Sequence, residues 1–322
     1  MTSNNLAFVG DVGGTNARFA LVENGNLVQE SIHNCATRDY SDTVDAIKSF
    51  LAAKGNPRVS SACLALACPI TGDTVKLTNC DWEFSKQALH DVLGIAQVMF
   101  VNDFTALAKG VPALASHQYY AIGKGVAQPR QPMGVMGPGT GFGVSGLVWG
   151  GSHWVALQGE GGHIGFAPAN EIEMEILRVG WQEYGDRVSV ERILSGAGLE
   201  FLYRTLSRIK GTVAEELKAS DITRQAVEDP QSICRETVNI FCGVLGGVAG
   251  DSALTLGALG GIYIGGGIIP KLGDIVHASP FRERFEAKAR FKNYVSRIPT
   301  YVIIDSTQAA LMGAAAILTG RQ

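Results

Sequence analysis

The residues with the clearest capacity for chemistry lie in a glycine-rich turn near the start of the chain. Residues 10–15 read Gly-Asp-Val-Gly-Gly-Thr and lie between the apolar runs Leu6–Val9 and Ala17–Val22. Glycine has no Cβ, so backbone N–H groups in such a turn can approach an anion closely. Asp11 would repel that anion unless a cation sat between them. The turn therefore indicates either phosphates held with a divalent metal or an ordinary structural β-hairpin.

A second glycine-rich turn of the same kind occurs in the second half of the sequence. Residues 137–143 read Gly-Pro-Gly-Thr-Gly-Phe-Gly between the apolar runs Met133–Met136 and Val144–Trp149. A third strand candidate follows each turn, Asn26–Ile32 in the first half and Trp154–Leu157 in the second. Each half therefore predicts three strands, of which the first two flank a glycine turn.

An amide and a carboxylate stand at the end of a further predicted strand. The apolar run Val98–Val101 is followed by Asn102 and Asp103, and then by a predicted helix from Phe104 to Ala108. In open α/β sheets, ligands bind beyond the carboxyl ends of the strands, which is where a catalytic aspartate belongs. The alternative is that one of these two residues only caps the helix.

Three more polar side chains occur in positions suited to ligand recognition. Glu160 and His163 lie in the glycine-rich segment Gly-Glu-Gly-Gly-His, where glycine neighbours leave both side chains unshielded. Paired acceptors and donors suit a polyhydroxylated ligand, although a solvated turn with an acidic tip would have the same sequence. Glu191 lies at the start of a predicted helix, where it could merely favour the positive end of the helix dipole.

These residues are positioned by alternating helices and short apolar strands. The downstream strand candidates are Ala62–Ala67 and Val98–Val101 in the first half, and Ile262–Ile264 and Tyr301–Ile304 in the second. The chain therefore reads as two copies of a β-β-β unit followed by alternating helices and strands. This order predicts an α/β protein in which helices cover mixed sheets. Two such domains with facing glycine hairpins would clamp a nucleotide.

Length and composition narrow the classes of protein further. The chain has 322 residues, which predicts about two domains, and a net charge of −3, which gives no reason to expect a nucleic-acid partner. Met1–Asn5 is too short and polar for a signal peptide, and no apolar run reaches the roughly 20 residues of a membrane span. Six scattered cysteines, including Cys80, form no C-x-x-C pair. These features predict a cytoplasmic protein without membrane contact or structural zinc.

Several well-known catalytic and nucleotide-binding motifs are absent from the sequence. Gly123-Lys124-Gly125 lacks the hydroxyl residue that a P-loop needs, and Phe142 stands where a dinucleotide-binding motif would have its last glycine. The sequence contains no H-E-x-x-H, and neither Ser145 nor Ser195 has the flanking glycines of a nucleophile elbow. The sequence therefore gives less support to four classes of protein: P-loop, Rossmann, zincin and α/β-hydrolase.

The chain resembles bacterial glucokinases of the hexokinase-like group within the actin/sugar-kinase/Hsp70 superfamily. The resemblance runs from about Leu6 to the C-terminal helix, and its motifs occur in the family's order. They lie at residues 10–18, 67–72, 102–106, 137–141, 159–163, 191–196 and 265–268. The related ROK sugar kinases usually carry a zinc-binding cysteine cluster after the segment that matches residues 159–163. That cluster is missing, so the branch without zinc fits better.

The resemblance implies a role for each matching residue. Asn102, Asp103, Glu160, His163 and Glu191 match the family's glucose ligands, with Asp103 as general base. Asp11 is expected to face Mg²⁺, through water. The residues expected to bind ATP are Gly10, Asp11, Val12, Gly13, Gly14, Thr15, Gly137, Gly139, Thr140, Gly141, Gly265, Gly266 and Gly267.

The resemblance also implies a fold and an activity. The expected fold is a two-domain actin-like (ribonuclease H-like) sugar kinase with a duplicated β-β-β-α-β-α-β-α core. Residues 1–113, completed by the C-terminal helix 305–322, would form the small domain, and residues 114–304 the large one. The expected activity is ATP-dependent phosphorylation of glucose to glucose 6-phosphate by a cytoplasmic homodimer.

Two other classes of protein share parts of this pattern. A sugar-sensing regulator should carry an N-terminal helix-turn-helix, for which the sequence before Leu6 leaves no room. An actin-like ATPase would share the phosphate hairpins and hydrolyse ATP without sugar. The pairing of Asn102 and Asp103 with Glu160 and His163 argues against it.

Overall fold

The computed structural model describes residues 6–70, 72–77 and 82–320. The predictions that concern Met1–Asn5, Thr71 and Cys80 lie outside the described residues. The chain forms two compact units. The first unit contains Met1–Ala115, Trp149–Gln158 and Asp305–Gln322, and the second contains Ser116–Val148 and Gly159–Ile304.

The strands of the described residues are numbered in chain order. They are β1 Leu6–Val12, β2 Asn16–Glu23, β3 Asn26–Leu27, β4 His33–Ala36, β5 Ser61–Leu66, β6 Thr74–Lys76, β7 Glu83–Ser85, β8 Gln97–Asn102, β9 Tyr119–Ile122, β10 Met133–Pro138, β11 Phe142–Trp149, β12 Trp154–Gln158, β13 Ile262–Ile264 and β14 Thr300–Ile303.

The α-helices are numbered in the same way. They are α1 Thr43–Ala53, α2 Lys86–Leu93, α3 Asp103–Gly110, α4 Glu171–Tyr184, α5 Gly196–Ile209, α6 Ala219–Glu228, α7 Ile233–Leu256, α8 Ile275–Ala278, α9 Phe281–Glu286, α10 Lys292–Val295 and α11 Ser306–Thr319.

The first unit is built on a mixed sheet with the strand order β3-β2-β1-β5-β8, and β4 also pairs with β2. β1 and β2 are antiparallel, whereas β1, β5 and β8 are parallel to one another. Parallel strands are covered on both faces, which explains the nearly continuous apolar sequences of β1 and β5. The aromatic rings of Phe8, Phe19 and Phe50 pack together in the core of this unit.

Within the second unit the strands run in the order β11-β10-β13-β14-β9. β10 and β11 are antiparallel, and β10, β13 and β14 are parallel. The run β11-β10-β13-β14 therefore has the same order and directions as β2-β1-β5-β8 in the first unit. This correspondence, together with helices around both sheets, confirms the predicted α/β class.

The longest helix, α7, lies in the core of the second unit. By length and composition alone it could cross a membrane, but 67% of its most apolar window is buried inside the structure. Phe241, Cys242 and Leu245 are fully buried side chains on this helix. Such burial is typical of a core helix, which can be as long and as apolar as a membrane span.

Most of the predicted strands are confirmed, but the third strand of the first half is wrong. Only Asn26–Leu27 is a strand there, and Gln29–Ser31 forms a 3₁₀ turn. The Ser31 hydroxyl donates to the Val28 carbonyl and accepts from the Leu21 amide, so it holds the turn in place of a longer ladder. Four strands, β4, β6, β7 and β9, are not foreseen by the sequence.

Candidate active site

The carboxyl ends of three parallel strands meet at one edge of the sheet in the first unit. Val12 at the end of β1 is level with Leu66 on β5, and Leu66 is level with Asn102 on β8. This register places Asp11 at the same edge as Asp103, the residue after β8. The strand pairing therefore brings Asp11 and Asp103 to one edge of the sheet.

Asn102 is the N-cap of helix α3. Its side-chain Oδ1 accepts from the backbone N–H groups of Phe104 and Thr105, at 3.0 and 3.2 Å. The Oδ1 of Asp103 accepts from the Phe104 amide at 2.8 Å. The helix-cap interpretation is thus correct for Asn102, and it fixes the side chain with its amide NH₂ as the remaining donor. These hydrogen bonds hold both side chains in place at the sheet edge.

Asp11 occupies an environment that disfavours its charge. Burial, and next the negative charge of Asp103, raise the pKa of Asp11 to about 7. The Arg18 guanidinium and a hydrogen bond from Thr307 act in the opposite direction and lower that pKa, while Asp305 raises it. A carboxylate held close to a second carboxylate is a position that a cation would stabilise.

Three of these neighbours belong to a cluster that the sequence analysis missed. Arg18 on β2 lies 3.1 Å from the carboxylate of Asp305 and also donates to Asn34. Asp305 caps α11 by accepting from the Gln308 amide, and Thr307 lies in the first turn of that helix. Asp305 lies between β14 and α11, just as Asn102 lies between the rest of β8 and α3. This repeated pattern of strand, polar residue and helix could have revealed Asp305 in the sequence.

The residues present fit a divalent cation only if other ligands complete its shell. Among residues 6–70, 72–77 and 82–320, no group of three or more His, Cys, Asp or Glu side chains is arranged to hold a metal ion. Mg²⁺ commonly binds one or two carboxylates and takes its other ligands from water and substrate phosphates. Asp11, with the Asp103 charge beside it, suits that mode.

The first glycine segment divides between a strand and a turn. Gly10, Asp11 and Val12 lie within β1, and only residues 13–15 form the turn. A Cβ at Gly10 would come within 2.7 Å of Leu64 and 2.9 Å of Phe19, so packing is a sufficient reason for glycine there. In the turn itself, the carbonyl groups of Gly14 and Thr15 accept from Thr37, at 2.8 and 3.0 Å.

The second and third glycine segments lie against each other in the second unit. A Cβ at Gly137 would overlap the Gly265 carbonyl, and one at Gly266, which has a φ of 82°, would overlap the Pro138 carbonyl. The Gly265 amide donates to the Met136 carbonyl at 2.7 Å. At the turn, Gly139 and the following two residues, Thr140 and Gly141, separate β10 from β11, and Thr140 is exposed. The second and third glycine segments, both expected to bind ATP, are therefore neighbours.

Glu160, His163 and Glu191 come together in the second unit. The His163 imidazole lies between the two carboxylates, with Nε2 4.0 Å from Glu160 and Nδ1 4.0 Å from Glu191. The side chains of Glu160 and His163 are 58% and 60% exposed, so they remain accessible to a ligand. Arg187, which the sequence analysis also missed, donates to the His163 carbonyl at 2.9 Å and anchors this turn.

Glu191 joins this group to the second glycine hairpin. Its Oε2 accepts from the Phe142 backbone amide at 2.9 Å. The same oxygen lies 2.5 Å from where a Cβ of Gly141 would be, so the carboxylate passes through space that only glycine leaves open. Glu191 itself lies in the 3₁₀ turn Val190–Arg192, and Ser195 caps α5. The helix-dipole interpretation of Glu191 is therefore wrong.

Comparison with known proteins gives a consistent result. The sequence profile of the family described as Glucokinase matches residues 8–321. A glucokinase from Hahella chejuensis is 42% identical over 322 residues, covering 100% of this chain and 99% of that protein. The crystal structure of a glucokinase from an Antarctic psychrotroph has a TM-score of 0.87 at 36% identity, covering 98% of this chain and 99% of that one.

A more distant structure bears on the fold. A ROK family glucokinase from Streptomyces griseus, in complex with glucose and AMPPNP, has a TM-score of 0.68 at 19% identity. The match covers 98% of this chain and 99% of that chain. At this identity the likeness shows the fold alone, and it confirms the predicted two-domain sugar-kinase architecture.

Proposed function

Because this chain belongs to the glucokinase family, we propose that it transfers the γ-phosphoryl group of ATP to the 6-hydroxyl of D-glucose. The products are glucose 6-phosphate and ADP, and the reaction is the first step of glycolysis. The observation that carries the proposal is the double contact of Glu191. One of its oxygens accepts from the glycine hairpin that would hold phosphates, and the other lies 4.0 Å from the His163 imidazole. Sugar and phosphate recognition would thus share one carboxylate.

Asp103 is the residue we assign as general base. It lies at the carboxyl edge of three parallel strands, and its Oδ1 is oriented by the Phe104 amide. Phosphoryl transfer needs alignment and charge stabilisation more than covalent help from the protein. A positioned carboxylate would accept the proton of the attacking 6-hydroxyl late in the transfer.

ATP and Mg²⁺ are the cofactors of the proposed reaction. ATP is supported by the family and by the AMPPNP bound to the Streptomyces griseus enzyme. The residues proposed to hold it are those of the three glycine segments. Asp11 would hold Mg²⁺ through water, and the metal would supply neutralisation of the phosphate charge when bound.

Glucose is neutral, so its recognition must rest on hydroxyl groups. We propose that Asn102, Asp103, Glu160, His163 and Glu191 bind them. These residues supply both acceptors and donors, including the amide NH₂ of Asn102 and the imidazole of His163. A sugar with a missing or inverted hydroxyl would leave a buried polar group unpaired, at about 1–3 kcal/mol each.

The assembly, the domains and the location of the enzyme are further parts of the proposal. Asn102 and Asp103 precede the second repeat of the sequence, whereas Glu160, His163 and Glu191 fall inside it, so we expect glucose to favour a closed state. We propose that the small domain is residues 1–113 with 305–322, that the large domain is 114–304, and that the enzyme is a homodimer. We also propose that the enzyme lies in the reducing cytoplasm, where cysteines such as Cys35, Cys63, Cys234 and Cys242 stay as thiols.

A coupled assay of ADP release tests the function. The protein with ATP and Mg²⁺ should release ADP rapidly only with a hexose present, and NMR of the glucose product should place the phosphate on the 6-position. ADP release that is equal with and without any hexose would instead identify an actin-like ATPase.

A further inference from the structure

A cavity of about 500 Å³ lies in the first unit, and its lining includes none of the residues proposed to bind glucose, ATP or Mg²⁺. The strand β3, the end of α3, the residues after α3, Trp154 and the second half of α11 form its walls. All of these segments belong to the first unit. The volume falls within the range of pockets that bind small molecules, about 300–1,000 Å³.

The walls of this cavity are mainly apolar. Leu27, Pro112, Trp154 and Met312 provide the large surfaces. The Trp154 ring is held by an edge-on contact with Trp149, with ring centroids 5.2 Å apart and planes at 72°. A flat, fixed indole beside a flexible methionine is a surface that accepts an apolar body of variable shape.

One cation, Lys109, lies in this apolar wall. Its Nζ donates to the Trp154 carbonyl at 2.5 Å, which uses one of the three donors of the ammonium group. In the part of the chain that the structure describes, Lys109 forms no ion pair, whereas Lys210 beside another cavity pairs with Glu236 at 2.7 Å. Burial lowers the pKa of Lys109, so its charge is incompletely compensated by solvent.

We propose that this cavity binds a small amphipathic anion, an apolar body that carries one carboxylate. The apolar body would lie on Trp154 and Met312, and the carboxylate would accept from Lys109. A neutral molecule of the same shape would leave the ammonium without its counter-charge. A cationic one would be repelled by it.

The helices that line the cavity begin at the candidate active site of the same unit. α3 starts at Asp103, and α11 follows Asp305 and carries Thr307 in its first turn. The two helices touch backbone to backbone, because a Cβ at Gly313 would overlap the Ala106 carbonyl and one at Gly110 the Ala309 carbonyl. Packed elements in such contact shift together rather than bend separately. Occupation of the cavity should therefore alter turnover. This coupling rests on the proposed function, whereas the binding of the anion does not.

Calorimetric titration with three eight-carbon probes tests the binding. Octanoate, 1-octanol and octylamine share an apolar chain and differ in their head groups. We expect octanoate to bind at one site per chain, and at least about tenfold more tightly than octanol, as a charge-assisted hydrogen bond gives. Octylamine should not bind. Absence of octanoate binding below its micelle concentration, or equal binding of octanol, would overturn the proposal.

Two variants and one control locate the site. Lys109→Met keeps the apolar stem and removes the charge, and it should weaken octanoate at least about tenfold while leaving octanol unchanged. Ala316→Trp, at a half-buried position in the lining, should fill the cavity and abolish binding of both. Lys210→Met is the matched control and should bind octanoate like the wild type. An unchanged octanoate affinity in Lys109→Met would place the binding elsewhere.

The coupling is measured as the change in turnover on addition of octanoate. We expect saturating octanoate to change kcat or the glucose KM of the wild type and of Lys210→Met, and to change neither in Ala316→Trp. Octanoate that binds with both constants unchanged would overturn the coupling through α3 and α11. Because binding is measured without substrate, failure of the glucokinase activity would be distinguishable from failure of the site.

Discussion

The contact between Glu191 and the second glycine hairpin can be broken without substituting any residue proposed to bind glucose. A methyl group at position 141 would stand 2.5 Å from Glu191 Oε2, closer than real Cβ atoms come to other atoms. Position 141 does not have a positive φ, so alanine can adopt the backbone conformation. In Gly141→Ala the carboxylate must therefore move, and its hydrogen bond from the Phe142 amide, 2.9 Å long, is lost or distorted.

The size of the effect follows from that hydrogen bond. A hydrogen bond to a charged group contributes about 1.5–3 kcal/mol, and each 1.4 kcal/mol corresponds to a factor of ten in affinity. The Glu191 side chain is 32% exposed, so solvent screens part of this energy and the lower end applies. Glucose must then fix a carboxylate that the hairpin no longer holds. We expect the glucose KM of Gly141→Ala to rise about tenfold.

Steady-state kinetics with both substrates varied can distinguish this effect from general damage to the hairpin. Gly139→Ala is the matched control, since no atom lies within 4 Å of its would-be Cβ. Both glycines are proposed to face phosphates, so either variant can change the ATP KM. Only Gly141→Ala should raise the glucose KM. Equal glucose KM values for Gly141→Ala and the wild type, or an equal rise in Gly139→Ala, would refute the role of Glu191 as the shared residue.

Four further outcomes follow from the structure. Asp103→Asn should lower turnover by roughly two to four orders of magnitude with much less effect on glucose affinity, and near-normal turnover would remove Asp103 as general base. A chelator should abolish turnover and leave the melting temperature nearly unchanged; loss of structure would reveal a structural metal site. The pKa of Asp11 is raised from 3.8 to about 7, so the ligand-free folded state binds the extra proton and loses stability as pH rises through that interval. The melting temperature of Asp11→Asn should therefore exceed that of the wild type at pH 8 and approach it near pH 4. A difference in melting temperature that stays constant with pH would contradict the raised pKa of Asp11. Small-angle scattering should show a smaller radius of gyration with glucose, through hinges near Ala113 and Ile304, and an unchanged radius with confirmed binding would rule out closure by sugar alone.

Strands with strong patterns could be predicted from the sequence, whereas weakly patterned ones could not. β1, β5 and β8 are apolar runs with polar or glycine residues at their ends, so periodicity and end signals agree. In the segment Asn26–Ile32, the Ser31 hydroxyl bonds to the backbone and replaces the ladder with a turn. Such competition between a side chain and the sheet cannot be read from apolar patterning.

The candidate site was predictable in its residue types and only partly in its contacts. Asn102 and Asp103 could be placed because a strand end and a helix start coincide there. The contact of Glu191 with Phe142 spans 49 positions in the sequence and depends on the missing Cβ of Gly141. The influence of Asp305 and Thr307 on Asp11 likewise depends on how the last helix packs. Long-range pairings of this kind have no local signal in a single sequence.

The packing of α11 on α3 also constrains the order in which the chain can fold as it is synthesised. The first unit takes its sheet from the start of the chain, but its helix Ser306–Thr319 is made after the whole of the second unit. The backbone contact between Gly313 and Ala106 can form only after about two hundred intervening residues have been synthesised. During translation the nascent first unit therefore exposes the apolar surface that α11 will cover, and the second unit, whose segments end at Ile304, can be complete before it.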